Sequence, residues 1–238
     1  MSMRIMLISD VHANPWALMA VAEDAGSVDH ILCAGDCVTY ATRPAEVIAW
    51  LQEHGAITVR GNHDDAAAFN HHPRAAPAKA HLALTLRDWT QAKLEPAQIQ
   101  WLARLPLIIT WEISGARFVM VHATPPDPLY DYRLTPNAPH SILTETLTGF
   151  EADFVVLGHT HLPYIRKHNR MTVVNPGSVG QPLDGDPRAA YAIWEDGEIT
   201  PHRAAYDQRE LIVTLDELAL EDDLYCSLRR SFELGKMI

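Results

Sequence analysis

Arg4-Ile5-Met6-Leu7-Ile8-Ser9-Asp10-Val11-His12-Ala13-Asn14-Pro15 is the stretch from which the rest of the chain can be read. Its apolar run, Ile5–Ser9, has the character of a buried strand, and Asp10 and His12 follow as soon as it ends. Asn14 ahead of Pro15 predicts a helix over Pro15–Asp24: a short polar side chain accepts from the first free N–H groups, and proline is tolerated at the first helical position. The same order then recurs. His30–Ala34 reads as a second strand, Pro44–His54 as a helix stopped by Gly55, and Ala56–Val59 as a third strand. Such alternation predicts parallel strands covered by helices.

Further on, residues 65–104 are rich in Ala, His, Gln and Trp, with helical spacing in Ala80–Ala92 and Pro96–Ala103. They read as a helical, cap-like insertion. Strands return at Leu107–Ile113, Arg117–Val121, Phe154–Leu157, Thr172–Asn175, Ala189–Trp194 and Ile199–Ala204. Ser114-Gly115 and Asp196-Gly197 are short enough to close hairpins, so the sheets are expected to be mixed. Leu215–Leu234 reads as helical, and residues 215–238 as a C-terminal tail packing on the domain or on a second copy of the chain. With no internal repeat and no linker, residues 1–238 read as one domain, a length at the upper end for a single core.

Composition narrows the class. A hydrophobic fraction of 47 % and a charged fraction of 21 % are ordinary for a soluble chain, and no apolar run is long enough to span a bilayer. The first residues lack the pattern of a signal peptide, so a cytoplasmic location is expected. Cys33, Cys37 and Cys226 are too few and too irregular for a disulfide framework or a zinc clip, and buried, reduced thiols are expected. A net charge of −11 argues against nucleic acid as a partner held on a broad basic face. It does not exclude a small anionic substrate, because bound cations would make a site locally positive.

The chemistry lies where strands end. Ser9-Asp10-Val11-His12, Gly35-Asp36, Gly61-Asn62-His63-Asp64, Val121-His122 and Gly158-His159-Thr160-His161 each place metal-competent side chains at that point. In open α/β sheets, ligands bind outside the carboxyl ends of strands. Asp10 and His12, two apart, are expected to leave one face of extended chain, and His159 and His161 likewise. Gly35, Gly61 and Gly158 would allow sharp turns and close approach. Carboxylate, amide and imidazole without thiolate suit Mn²⁺, Fe²⁺, Zn²⁺ or Co²⁺ better than Ca²⁺. Taken singly, an Asp or His after a strand usually caps a helix or sits satisfied at the surface. Five such segments on one rim are hard to explain that way.

Together these segments resemble the calcineurin-like metallophosphoesterase superfamily. Asn175-Pro176-Gly177-Ser178-Val179-Gly180 extends the resemblance to its small prokaryotic phosphodiesterase branch. The resemblance implies an α/β four-layer sandwich, two mixed β-sheets flanked by α-helices. It implies two divalent cations, Mn²⁺ slightly favoured. One would be held by Asp10, His12, Asp36 and His161, the other by Asn62, His122, His159 and the shared Asp36. A shared carboxylate keeps such cations about 3.5–4 Å apart, and a hydroxide bridging them is the expected nucleophile. The implied activity is hydrolysis of a small phosphate ester or nucleotide, with His63 as general acid and with Asn14, Gly177 and Ser178 helping to place the phosphate. The other activity class on this fold is a catalytically weak scaffold, but such proteins lack a ligand or the catalytic histidine, and this chain keeps all of them.

Two departures stand out. Protein serine/threonine phosphatases carry Gly-Asp-x-Val-Asp-Arg-Gly where this chain has Gly35-Asp36-Cys37-Val38-Thr39-Tyr40-Ala41. The acid that orients the histidine and the phosphate-gripping arginine are both missing, which disfavours a phosphoprotein substrate and leaves Asp64 and Asp65 as candidates to orient His63 by proximity alone. The basic residue often found after Gln-Pro is replaced by Leu183. The loop Ala123–Pro139, with Pro125, Pro126, Pro128, Pro136 and Pro139, is expected to lie over the site. His71 and His72 read as a solvated turn, Trp89 and Trp101 as core, and Arg74, Arg133 and Arg188 as surface charge.

Overall fold

The computed structural model describes residues 2–75 and 80–236, so residues 76–79 of the insertion, the last two residues of the tail and Met1 lie outside the described residues. In chain order the elements are β1 (Arg4–Ile8), α1 (Pro15–Ala25), β2 (His30–Cys33), α2 (Pro44–Glu53), β3 (Ile57–Thr58), α3 (Asn62–Phe69), α4 (Ala80–Lys93), α5 (Pro96–Arg104), β4 (Ile108–Ile113), β5 (Ala116–Val121) and α6 (His140–Leu147). They continue with β6 (Phe154–Val156), β7 (Tyr164–His168), β8 (Met171–Asn175), β9 (Ala189–Glu195), β10 (Glu198–Ala204), α7 (Arg209–Thr214), a 3-10 turn (Leu215–Leu218) and α8 (Asp222–Leu234).

Two five-stranded mixed sheets form, ordered β10-β9-β1-β2-β3 and β4-β5-β6-β8-β7. In the first, β1 pairs parallel with β2, and β2 with β3, while β9 runs antiparallel to β1. In the second, β5, β6 and β8 are parallel neighbours, and the hairpin partners β4 and β7 form antiparallel edges. The period of two along each strand sorts the side chains between layers. Ile5 and Leu7 face a core between the sheets with Phe118, Met120, Phe154, Val156, Val174 and Trp194. Met6 and Ile8 face the other way, onto Leu18 and Val21 of α1 and Val47, Ile48 and Leu51 of α2. Behind the second sheet, Val155 and Val173 pack on Leu143 and Leu147 of α6. The result is the expected four layers, helix–sheet–sheet–helix. Each buried aliphatic or aromatic side chain contributes about 1.5–3 kcal/mol to holding them together.

A fourth apolar cluster lies beside this sandwich. Leu82 and Leu86 of α4 meet Tyr40, Leu211, Leu215, Leu218 and, from α8, Leu228 and Phe232. The tail thus packs on its own chain. Four elements lie outside the sequence reading: α3, α6, β7 and α7. Cys33 and Cys37 are buried as expected, but Cys226 is exposed, on the outer face of α8. Among the described residues no helix is long and apolar enough to cross a membrane.

Candidate metal centre

The parallel strands β1, β2 and β3 of one sheet and β5, β6 and β8 of the other end on a common edge, and backbone hydrogen bonds lace together the loops that follow them. Asp10 N–H donates to Gly35 O (2.9 Å), His12 N–H to Asp36 O (3.0 Å) and Gly158 N–H to His122 O (2.8 Å). Val179 N–H and Gly180 N–H reach Ser9 O and Asp10 O across the two sheets. Segments remote in the chain are thereby fixed in one place.

All seven expected ligands meet there, buried. His12 Nε2 lies 3.0 Å from His161 Nε2, and Asp10 Oδ1 is 3.4 Å from the latter. Asn62 Oδ1 is 3.0 Å from both His122 Nε2 and His159 Nδ1. Asp36 Oδ2 stands between the two groups, 3.3 Å from His122 Nε2 and 3.9 Å from His12 Nε2. Two trios have donor atoms close enough to hold an ion: Asp10, His12 and His161, and Asp10, Asp36 and His122.

The orientation of the rings tests whether cations fit. His12, His122 and His161 each turn Nδ1 to a backbone carbonyl, Val38 O at 3.1 Å, Ala34 O at 2.7 Å and Gln181 O at 2.6 Å. An Nδ1–H donated to a carbonyl leaves Nε2 as the lone-pair atom, and all three Nε2 atoms point inward. Asn62 is set the same way, its Nδ2 donating to Pro73 O so that Oδ1 faces the centre. Freed of protons, these inward atoms are all acceptors, which is the donor set of a cation site, and the residues fit it.

Charge balance agrees. Burial alone would raise Asp36, yet the imidazoles of His122, His63 and His12 hold its carboxyl well below the usual carboxylate range. Asp10 is pushed up to about 7 by burial and by the neighbouring Asp36, with His122 opposing. Burial would lower His122, but the carboxylates of Asp36 and Asp10 raise it to about 10. His159 falls well below its ordinary value through burial and the charge of His122. Without cations, protons balance the buried carboxylates; divalent ions would displace them.

The backbone here is strained. Asp10, His12, Asp36, His159 and His161 all adopt positive φ, between 48° and 68°. This corrects the expectation of extended chain at Asp-x-His and His-x-His: the paired side chains converge because both members are left-handed. Such conformations cost of order 1–3 kcal/mol each and persist where surroundings over-determine them. Gly61 has an ordinary φ but no room for a side chain, since a Cβ would collide with Asp36 Oδ1.

A cavity of about 200 Å³ opens beside the expected ligands, lined by Asp36, Tyr40, Asn62, His63, Tyr132, Thr160, His161 and Leu183 among others. His63 is on its wall, its backbone N–H donating to Asp36 Oδ1 at 2.9 Å. Tyr132 brings the proline-rich loop to the site, its ring centroid 3.8 Å from that of His159. Asp64 and Asp65 are turned elsewhere. Asp64 accepts from Asp36, Cys37, Val38 and Gly61 N–H, and Asp65 meets Arg60 and His71. Asn14, Gly177 and Ser178, expected to help place the phosphate, are not among the residues lining this cavity. Asn14 caps α1 and donates to Gly180 O and the Tyr206 hydroxyl, Ser178 Oγ donates to Asp10 O, and Gly177 N–H donates to Asn175 Oδ1. Arg133 and Arg188 pair with Asp131 and Asp186, and Arg74 lies over the Tyr130 ring. Tyr40, Tyr132, Asp64 and Gln181 were not marked as site residues from sequence. Tyr40 carries a signal as the aromatic residue four after Asp36, and Asp64 as the neighbour of His63.

A two-sheet sandwich with an Asp/Asn/His cluster at its strand ends defines a class, and comparison with known proteins gives that class its family. The profile of the calcineurin-like phosphoesterase superfamily domain matches residues 3–196, and the chain belongs to that superfamily. An uncharacterised protein of Methanocaldococcus jannaschii is 29 % identical over 223 residues, 85 % of this chain and 88 % of that one. The phosphodiesterase YfcE of Escherichia coli is 26 % identical over 209 residues, 82 % of this chain and 88 % of that one. A crystallised metallophosphoesterase from Sphaerobacter thermophilus superposes with a TM-score of 0.81 at 32 % identity, covering 99 % of this chain and 100 % of that one.

Proposed function

We propose that this protein hydrolyses small phosphate esters, phosphodiesters or nucleotides before phosphoproteins, with the help of two divalent cations. Asp10, His12, Asp36 and His161 would hold one ion, and Asn62, His122, His159 and the same Asp36 the other. When bound, the cations supply Lewis-acid polarisation of the phosphoryl oxygens and lower the pKa of a coordinated water. The single observation that carries the proposal is the convergence of inward-facing Nε2 atoms and Asp36 Oδ2, at 3.3 Å from His122, on a small cavity.

The chain's own groups do the rest. Asp36 stays ionised in spite of its burial, as a shared ligand must. His63, on the cavity wall and outside the ligand set, donates a proton to the leaving oxygen. Relation to a protein named a phosphodiesterase supports a diester substrate. Chelator-treated protein is tested on bis(p-nitrophenyl) phosphate with Mn²⁺, Fe²⁺, Zn²⁺ or Co²⁺ added back. Turnover should appear with at least one ion. His63→Ala should keep its metal and lose roughly a hundredfold in turnover on a poorly activated diester such as methyl phenyl phosphate. Ions bound without hydrolysis of any ester would point instead to a scaffold.

A further inference from the structure

Asp64 and Asp65 are engaged with other groups, and the ring of His63 is packed against two other aromatic rings. The Tyr40 ring centroid lies 4.8 Å from that of His63 and 4.8 Å from that of His12, and the two imidazoles are themselves 5.3 Å apart, edge to face. The three rings form a closed triangle, with those of Tyr40 and His63 on the cavity wall. Tyr40 cannot swing away. It is 2 % exposed, its backbone and that of Thr39 are left-handed, and Ala41 N–H donates to His12 O. It also belongs to the apolar cluster of Leu82, Leu86, Leu211, Leu228 and Phe232, which carries the C-terminal helices up to the cavity.

We propose that Tyr40 is the positioning residue for His63, holding the imidazole by ring packing and braced in turn by the C-terminal helices. This rests on His63 acting as the proton donor. The role assigned to Tyr40 is the packing of its ring, not proton transfer. It narrows the orientations available to the acid, and a small misplacement of a catalytic group is enough to cost a large factor in rate.

Leaving-group dependence isolates that role. Methyl aryl phosphates with phenols from strongly to weakly acidic are compared on metal-loaded enzyme, with metal content measured in each variant. Loss of a general acid is felt by the weakly acidic phenols alone. Tyr40→Leu should therefore lose roughly tenfold or more in kcat on methyl phenyl phosphate and less than about threefold on methyl p-nitrophenyl phosphate, with KM little changed. Tyr40→Phe, which keeps the ring, should restore the rate. Added to His63→Ala, Tyr40→Leu should cause no further loss. Equal loss on both esters, or a further loss in the His63→Ala background, would show Tyr40 acting through His12 and overturn the proposal. Should the leucine variant fail to fold, Tyr40→Met replaces it under the same criteria. If His63→Ala shows the leaving-group dependence and Tyr40→Leu does not, the Tyr40 proposal alone fails. If neither shows it, His63 is not the acid and both fall.

Discussion

Asp64 ties together two loops that leave different strands. Its buried carboxylate accepts from Asp36 and Cys37 N–H at 2.8 Å, Gly61 N–H at 3.0 Å and Val38 N–H at 3.3 Å. Burial, with Asp36 nearby, still raises its pKa to about 6, so four donors only partly offset the desolvation. Asp64→Ala would strand those N–H groups in the interior. A loss of about 2–3 kcal/mol of stability is expected in urea denaturation. A loss below about 1 kcal/mol would show the loop holding its shape without the carboxylate. The sequence revealed Asp64 only as a neighbour of His63, because what it binds is backbone, and backbone donors leave no trace in residue identity. The seven proposed ligands were legible for the opposite reason: their chemistry is in their side chains. Their geometry was not, for left-handed φ at Asp10 and His12 follows from loop-to-loop hydrogen bonds.

Among the elements, α8 shows how a peripheral helix comes to bear on the site. Its inward residues include Leu228, Ser231 and Phe232. Ser231 Oγ accepts from Gln181 Nε2 at 2.9 Å, and Gln181 O is the carbonyl on which His161 Nδ1 is fixed. Phe232 is 1 % exposed within the cluster that backs Tyr40. Phe232→Ala should cost about 3–5 kcal/mol from lost transfer energy and the residual cavity. Chemical denaturation reads it, and a change under about 1 kcal/mol would mean the tail adds little to the core. The helix itself was legible, with apolar residues recurring between charged ones. β7 was not: Tyr-Ile-Arg-Lys-His is an edge strand half open to solvent, and its two central charges hide the alternation. α3 was missed because Asn-His-Asp-Asp-Ala-Ala-Ala-Phe has no apolar periodicity. It starts at a ligand and is held by Asp64 at its third position and by burial.

For the whole molecule, the proposed ligands come from both of the sheets that the layers keep apart. Asp10, His12, Asp36 and Asn62 follow strands of the first sheet, and His122, His159 and His161 follow strands of the second. An ion held by both sets would join the sheets at their strand ends, where this acidic chain concentrates buried carboxylates. Ions that bind the folded state and not the unfolded chain stabilise it by mass action, about 2.7 kcal/mol at a hundredfold excess over Kd. For a chain of this length that corresponds to a rise of roughly 5–10 °C in the unfolding midpoint. Thermal unfolding of chelator-treated protein, followed with and without Mn²⁺, measures it independently of turnover. Asp36→Asn should remove most of the rise, because on the proposed arrangement its carboxylate would serve both ions and an amide would not offset their charge. A midpoint unmoved by any of the four ions in the unaltered protein would leave the two sheets joined by hydrogen bonds alone, and the cluster of imidazoles without the cations its geometry is built to hold.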